Sequence, residues 1–186
     1  MRVISGAFKG KKILEPKDLK TRPLKDLTKE SIFNIIKHSN KFKIELDKSN
    51  ILDLFSGVGS FGIECLSRGV KKVVFVENYH EVLPILKKNL ANLKSDINFD
   101  IIEKDIIKSD LFLKFNEKFD VVFLDPPYKE KKIDTILIKI IEGKILNKNS
   151  IVIIHRHKSE IDILPTSFKI IEEKTYGVSK ILFLNQ

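Results

Sequence analysis

The stretch ILDLFSGVGSFG at residues 51–62 decides how the rest of the chain is interpreted. Its apolar start and closely spaced glycines predict a β-strand that turns tightly into a helix. Gly57, Gly59 and Gly62 also satisfy the dinucleotide-binding fingerprint, so their spacing alone does not separate NAD from other nucleotide-like cofactors. Asp53 does, because an anion beside the loop disfavours a pyrophosphate and suits a ligand with an ammonium group. S-adenosylmethionine has an ammonium and a sulfonium and no phosphate, so it is the expected cofactor; an NAD-dependent oxidoreductase is the alternative.

Outward from this stretch, short β-rich runs alternate with amphipathic helical segments. This alternation predicts an α/β fold with a mostly parallel sheet and crossover helices. Two runs are almost continuously apolar, as central strands buried on both faces should be. The expected strands cover residues 50–55, 72–77, 99–105, 119–125 and 150–155. Residues 168–173 and 179–184 flank a turn at Tyr176 and Gly177, which predicts an antiparallel hairpin at one edge of the sheet.

Two helices are predicted between these strands. Asn78 and Glu81 resemble a capping box that opens the first helix. The apolar face of the first helix comprises Val82, Ile85, Leu86 and Leu90, and that of the second comprises Ile133, Ile136, Leu137 and Ile140.

The first 49 residues differ in character from the rest. RVIS at 2–5 and KGKKI at 9–13 predict a basic β-hairpin, and a helix containing Ile32, Phe33, Ile35 and Ile36 follows. With 186 residues and 42% hydrophobic content, the chain is expected to form one domain, 1–186. Residues 1–49 would be an appendage on a catalytic core at 50–186.

The net charge of +9 favours a nucleic-acid partner. Lysine accounts for 30 of the 34 basic residues, a bias that composition alone also produces, but residues 1–30 hold nine basic side chains against four carboxylates. No apolar run reaches the roughly 20 residues that span a bilayer, and the start lacks the apolar middle of a signal peptide. The single cysteine, Cys65, forms no internal disulfide, which fits a cytoplasmic location.

Two further carboxylates follow predicted strands. Glu77 is placed to accept hydrogen bonds from both ribose hydroxyls of an adenosine-containing cofactor. Asp105 is placed either to bind an adenine amino group or to cap the segment that follows it.

The sequence DPPY, residues 125–128, follows the apolar run VVFL at the strand end where ligands bind in open α/β sheets. An exocyclic base amine is a poor nucleophile because its lone pair is delocalised into the ring. Proline fixes the backbone so that a carbonyl can face such an amine, and the Asp125 carboxylate supplies a second acceptor. Tyr128 offers a face on which an extruded base can stack.

Other chemistries are disfavoured. Methylation at pyrimidine carbon five needs a cysteine nucleophile, but Cys65 falls within the predicted helix after the glycine loop and is expected in the core. His155 and His157 share one side of a strand end, but no carboxylate or cysteine cluster joins them, so no metal is expected.

These segments together resemble the RsmD-type 16S rRNA guanine-N2 methyltransferases. The resemblance runs along RVISGAFKGKKI, TRPLKDLTKESIFNII, the glycine stretch, VVFVEN, VVFLDPPY and YGVSKILF. DPPY alone is shared with DNA adenine-N6 methyltransferases and is close to the NPPY of protein-glutamine methyltransferases, so both stay as alternatives. Leu24 departs from the family, where a threonine is expected after Arg-Pro.

The resemblance implies a class I methyltransferase fold, a Rossmann-like three-layer sandwich with a seven-stranded sheet. It implies a monomer acting on 16S rRNA within the small ribosomal subunit or an assembly intermediate, by direct methyl transfer. Cofactor binding would fall to Asp53, Phe55, Ser56, Gly57, Val58, Gly59, Glu77, Asn78, Asp105 and Ile106. Asp125, Pro126, Pro127 and Tyr128 would be catalytic, and Arg2, Lys9, Lys11, Lys12 and Arg22 would contact RNA.

Overall fold

Seven strands form one sheet in the computed structural model, which describes residues 1–16, 24–93, 97–127 and 129–186. The strands are β1 Asn50–Leu54, β2 Lys72–Val76, β3 Phe99–Ile102, β4 Phe119–Leu124, β5 Leu146–His157, β6 Lys169–Tyr176 and β7 Ser179–Asn185. Their order across the sheet is β3-β2-β1-β4-β5-β7-β6, with β1 to β5 parallel and β7 antiparallel to both neighbours. The predicted mostly parallel sheet and its C-terminal hairpin are confirmed.

The helices cover both faces of the sheet and complete three layers. They are α1 Asp26–His38, α2 Ser60–Ser67, α3 Leu83–Ala91 and α4 Ile133–Glu142. Apolar residues of α1, α2 and α3 join one core on one face, and those of α4 join a second core on the other. The central strands contribute alternate residues to the two cores, which explains their almost continuous apolar sequence. The apolar face predicted for α4 is fully buried.

Several predicted boundaries differ from the structure. Strand β5 covers Leu146–His157 instead of residues 150–155, and β6 continues to Tyr176 instead of ending at 173. Two further differences have a visible cause. Helix α3 begins at Leu83 without a side-chain cap, so Asn78 and Glu81 form no capping box. Glu77 is the reason, because its carboxylate binds the backbone N–H of Asn78 and Tyr79 and directs the chain into a separate turn. Strand β3 ends at Ile102 instead of residue 105, because the chain turns back on itself at residues 102–104.

The N-terminal segment forms a hairpin-like loop that lies along α2. Only Arg2 and Lys12 form a β-bridge, so the predicted basic hairpin is present without regular strands. The loop is bound by α2, where Ser67 accepts hydrogen bonds from Ala7 and Phe8. Gly6 has φ +82°, and a β-carbon there would lie 1.7 Å from the Ser67 carbonyl oxygen. Only glycine permits so close an approach.

Buried charges join this loop, α1 and α2. Lys29 and Glu64 are both fully buried, with Lys29 Nζ 3.8 Å from Glu64 Oε2. Lys29 donates to the Arg2 carbonyl oxygen at 2.8 Å, while Glu64 accepts the backbone N–H groups of Ile4 and Ser5. Burial lowers the pKa of Lys29, and the Glu64 carboxylate opposes that effect. Because every charged atom here is out of water, the loop, α1 and α2 depend on one another.

Replacing Lys29 with Met should therefore destabilise the protein by about 3 kcal/mol, because Glu64 would be left buried without its lysine partner. Urea unfolding measures this change. Lys37→Met is the matched control, since Lys37 is exposed on the last turn of the same helix. Equal unfolding midpoints for Lys29→Met and Lys37→Met would show that the buried charges do not hold these elements together.

Candidate active site

A cleft of about 720 Å³ opens at the carboxyl ends of the parallel strands. Nine of the ten predicted cofactor residues line it, and so do three of the four predicted catalytic residues: Asp53, Phe55, Ser56, Gly57, Val58, Glu77, Asn78, Asp105 and Ile106, with Asp125, Pro126 and Pro127. The tenth cofactor residue, Gly59, precedes α2 with φ +85°. The remaining catalytic residue, Tyr128, lies outside the described residues. The sequence thus located the cleft.

The three glycines of the loop have their backbone N–H donors already occupied. Gly57 N–H donates to Glu77 Oε2 at 2.7 Å, and Gly62 N–H donates to Asp53 Oδ2 at 2.9 Å. Gly59 N–H donates to the Ser56 carbonyl oxygen at 2.8 Å. A dinucleotide pyrophosphate needs such N–H groups for its own oxygens. The loop is therefore poorly suited to NAD, which resolves the ambiguity of the glycine spacing.

Asp53 is buried at the end of β1, with 1% of the residue exposed. Burial raises the pKa of its carboxyl well above the usual range; the Gly62 N–H opposes this, and the charges of Asp125 and Glu77 add to it. Three carboxylates thus repel one another within the cleft. A ligand that brings positive charge relieves this repulsion, so the cleft fits the ammonium and sulfonium of S-adenosylmethionine.

The Glu77 carboxylate joins the end of β2 to the glycine loop by hydrogen bonds. Besides Gly57, its carboxylate accepts the N–H groups of Asn78 at 2.8 Å and Tyr79 at 2.9 Å. A carboxylate has about four acceptor positions, so about one is left for a ligand. This leaves less capacity than the two ribose hydrogen bonds expected from the sequence.

Asp105 lines the cleft and also caps a turn. Its Oδ1 accepts the backbone N–H groups of Ile107 and Lys108, both at 2.9 Å. Asp105 therefore caps a turn at residues 106–108 and not the N-terminus of a helix. Its role toward an adenine stays a prediction.

The Asp-Pro-Pro segment follows β4, and its carboxylate has a partner that the sequence did not reveal. His155 Nδ1 lies 2.8 Å from Asp125 Oδ1. Burial lowers the pKa of His155, but the Asp125 carboxylate outweighs it and the net shift is upward. From the sequence alone, His155 and His157 suggest only a possible metal pair, and that interpretation is disfavoured. The signal was present in the strand pairing, because parallel strands bring Asp125 and His155 to adjacent strand ends.

Arg156 was also missed. It is fully buried and donates to the Glu130 carbonyl oxygen at 2.9 Å and to Asp162 Oδ2 at 3.1 Å. Glu130 follows the DPPY segment and Asp162 lies in the β5–β6 connection. Arg156 therefore joins the two loops beside the cleft.

Four of the five residues predicted to contact RNA lie within the described ranges, and none of these four lines the cleft. Arg2, Lys9 and Lys12 are exposed, and Lys11 Nζ donates to the Leu93 carbonyl oxygen at 3.3 Å. The loop tip near Gly6 contacts Ser67 at the end of α2, about 12 Å along the helix from the glycine loop.

Arg22 lies outside the described residues, although Pro16 and Leu24 on either side of it line the cleft. Leu24, the departure from the family pattern, is buried in the core that includes α1.

Cys65 is fully buried in α2, as predicted, and burial raises the pKa of its thiol well above the usual range. A buried, protonated thiol is a poor nucleophile. Within the described ranges there is no group of three or more His, Cys, Asp or Glu side chains suited to a metal ion. No described helix is long and apolar enough to cross a membrane.

The fold and the charge of the cleft define a class I methyltransferase, which depends on S-adenosylmethionine. A solved structure from Haemophilus influenzae, 32% identical, matches with a TM-score of 0.76 over 99% of this chain and 97% of that chain. The rRNA methyltransferase aviRa of Streptomyces viridochromogenes, 13% identical, shares the fold with a TM-score of 0.72 over 90% and 87% of the two chains.

Within that class, the family described as conserved hypothetical protein 95 matches residues 1–185. The ribosomal RNA small subunit methyltransferase D of Haemophilus influenzae is 34% identical over 182 residues, which cover 96% of this chain and 90% of that protein. The chain belongs to this RsmD-type methyltransferase family.

Glu77→Ala should weaken binding of S-adenosylmethionine by about 1–3 kcal/mol. The glycine loop loses the hydrogen bond from Gly57 to the carboxylate, and the cofactor loses an acceptor. Isothermal calorimetry measures the affinity. Glu81→Ala is the matched control, since Glu81 is exposed in the same connection and does not line the cleft. Unchanged affinity in Glu77→Ala would remove Glu77 from the cofactor site.

Proposed function

We propose that this chain transfers a methyl group from S-adenosylmethionine to the exocyclic N2 amine of a guanine in 16S rRNA. The observation that carries the proposal is the placement of Asp125. Its carboxylate lies in the same cleft as Asp53 and Glu77, and one of its oxygens is engaged by His155. A directed acceptor beside a cofactor site suits an amine substrate.

The relatives support the choice of substrate. The Haemophilus influenzae relative is named for the RNA of the small ribosomal subunit. The net charge of +9 and the exposed Arg2, Lys9 and Lys12 suit a phosphate backbone. We further propose that the substrate is the small subunit or an assembly intermediate, and that the protein acts in the cytoplasm as a single-domain monomer.

The chemistry follows from the residues of the cleft. S-adenosylmethionine supplies a methyl group activated by its sulfonium. Asp125 and a backbone carbonyl of the Asp-Pro-Pro segment accept hydrogen bonds from the amine, which frees the nitrogen lone pair. Methylation makes the amine cationic and acidic, so its proton leaves to water or Asp125. Because Cys65 is buried with a raised pKa, transfer is direct, and orientation in the cleft is the main source of rate.

Two alternative acceptors share this chemistry, an adenine N6 amine in DNA and a glutamine amide in protein. The exposed basic side chains of the N-terminal loop favour nucleic acid over protein. Transfer of labelled methyl groups to purified RNA, DNA and protein separates the three, and nucleoside mass spectrometry identifies the product. N2-methylguanosine in 16S rRNA supports the proposal, and a methylated adenine or glutamine would contradict it.

Asp125→Ala should lower the single-turnover rate of methyl transfer to RNA by about 10²-fold, near 2.7 kcal/mol, because one acceptor is lost from the transition state. Cofactor affinity should survive this change. Single-turnover conditions are needed because slow product release would mask a change in the chemical step. A near-normal rate in this variant would rule out the acceptor role.

Tyr128 separates stacking from hydrogen bonding. Tyr128→Phe keeps the aromatic face, so it should slow transfer less than Tyr128→Ala does. The same single-turnover assay compares them. If Tyr128→Phe abolishes transfer while Asp125→Ala does not, the tyrosine hydroxyl has the leading role.

Neutralising Lys9, Lys11 and Lys12 to Gln should weaken RNA binding and flatten its dependence on salt, because fewer counterions are released. Cofactor affinity should not change, since none of the three lines the cleft. Filter binding over a range of salt concentrations measures the slope. The triple variant Lys114, Lys118 and Lys148 to Gln is a charge-matched control, because all three side chains are exposed outside the N-terminal loop. Equal slopes in the two triple variants would place the RNA elsewhere.

A further inference from the structure

His155 is a titratable side chain in direct contact with the proposed acceptor, Asp125. The parallel register pairs Leu124 of β4 with Ile154 of β5, so the next residue of each strand stands beside the other at the carboxyl edge. His155 Nδ1 and Asp125 Oδ1 are 2.8 Å apart, and both residues line the cleft. The side chains are 11% and 23% exposed, so water screens this pair weakly.

The carboxylates near this pair favour a positively charged or hydrogen-bond-donating partner for Asp125. Asp125 is close enough to Asp53 for its charge to raise the pKa of that carboxyl, and Glu77 does the same. On the histidine side, Asp125 faces the ring from β4, and Arg156 on its own strand opposes protonation. The β7 residue in register with His155 is the apolar Ile181. Asp125 is thus the carboxylate that interacts with His155.

Packing alone does not account for a histidine at this position. Its Nε2 is buried and has no hydrogen-bond partner among the described residues. A buried polar atom without a partner is costly, and an aliphatic side chain would avoid that cost. We therefore attribute the presence of a histidine here to the hydrogen bond between its Nδ1 and Asp125.

We propose that His155 is a positioning residue for methyl transfer: it donates from Nδ1 to Asp125 Oδ1 and thereby keeps the second carboxylate oxygen directed at the substrate amine. This inference rests on the acceptor role proposed for Asp125. A carboxylate held at one oxygen cannot rotate freely, so its other oxygen is preorganised before the amine arrives. When the ring is protonated, its charge also offsets part of the repulsion between Asp125 and Asp53.

The kinetic test compares three substitutions in single-turnover transfer to RNA. His155→Leu removes the donor and should slow transfer about 10-fold or more. His155→Asn retains an N–H donor near the position of Nδ1 and should stay within about 3-fold of the wild type. His157→Leu is the matched control, because His157 lies two residues further along β5 outside the cleft lining, and its rate should equal the wild-type rate.

Two further measurements separate positioning from a structural role. The affinity for S-adenosylmethionine and the thermal midpoint should be the same in His155→Leu and His155→Asn, so that only the rate distinguishes them. A rate in His155→Leu equal to that in His155→Asn would overturn the proposal. So would a loss of rate matched by an equal loss of cofactor affinity or of folded protein.

A spectroscopic measurement tests the pair without any turnover. Histidine ring resonances titrated by NMR should give His155 a pKa above its ordinary value of 6.5, because the carboxylate favours the protonated ring. Asp125→Asn should lower that pKa. The chain has four histidines, and the resonance missing in His155→Asn assigns the signal. A pKa that does not move in Asp125→Asn would overturn the inference even if the protein methylates guanine.

Failure of the proposed function can be distinguished from failure of the role proposed for His155. If the wild type methylates DNA adenine or protein glutamine, the guanine assignment fails, while the same comparison of His155 variants is made with that acceptor. If the wild type forms N2-methylguanosine and His155→Leu is as fast, the role of His155 alone fails.

Discussion

The parallel sheet brings four carboxylates, Asp53, Glu77, Asp105 and Asp125, to one edge, and much of the local structure is a response to that crowding. Like charges in a poorly solvated cleft destabilise one another unless each of them is stabilised by a hydrogen-bond donor or a cation. Backbone N–H groups stabilise the first three. Gly62 donates to Asp53, and the glycine loop and the two residues after Glu77 donate to Glu77. The turn that follows Asp105 donates to Asp105. Only Asp125 is answered by a side chain. The carboxylate with a side-chain partner is thus the one proposed to accept a hydrogen bond from the substrate amine.

The same requirement shapes the opposite end of α2. Glu64 is fully buried and is answered by Lys29, by Arg68 at 2.9 Å and by two backbone N–H groups of the N-terminal loop. The loop is thereby bound to the helix that begins at the glycine loop. The basic segment that the sequence suggests as an appendage therefore packs closely on α2. Its exposed lysines and its buried contacts serve different purposes within one short stretch of chain.

The sequence predicted the strands, the helices and the cleft well because periodicity and strand-end placement are local properties. The end of β3 and the start of α3 were wrong because contacts beyond each segment's own periodicity set them. A backbone turn at residues 102–104 ends β3, and the Glu77 carboxylate binds N–H groups where the Asn78 cap was expected. His155 was misjudged for a related reason. Its meaning depends on the register between β4 and β5, which no single segment reveals. Arg156 was missed because a fully buried arginine looks like any other basic residue until its partners on two loops are known.

The occupied donors of the glycine loop also explain why one sequence pattern serves two cofactor classes. In a dinucleotide site, the N–H groups of such a loop and its helix face a pyrophosphate. Here Glu77 and Asp53 take the N–H groups of Gly57 and Gly62, so carboxylates of the chain occupy the donors that an external anion would need. The net effect is a change in the sign of charge that the cleft prefers. We therefore attribute selectivity for a cationic cofactor to two strand-end carboxylates rather than to the glycines.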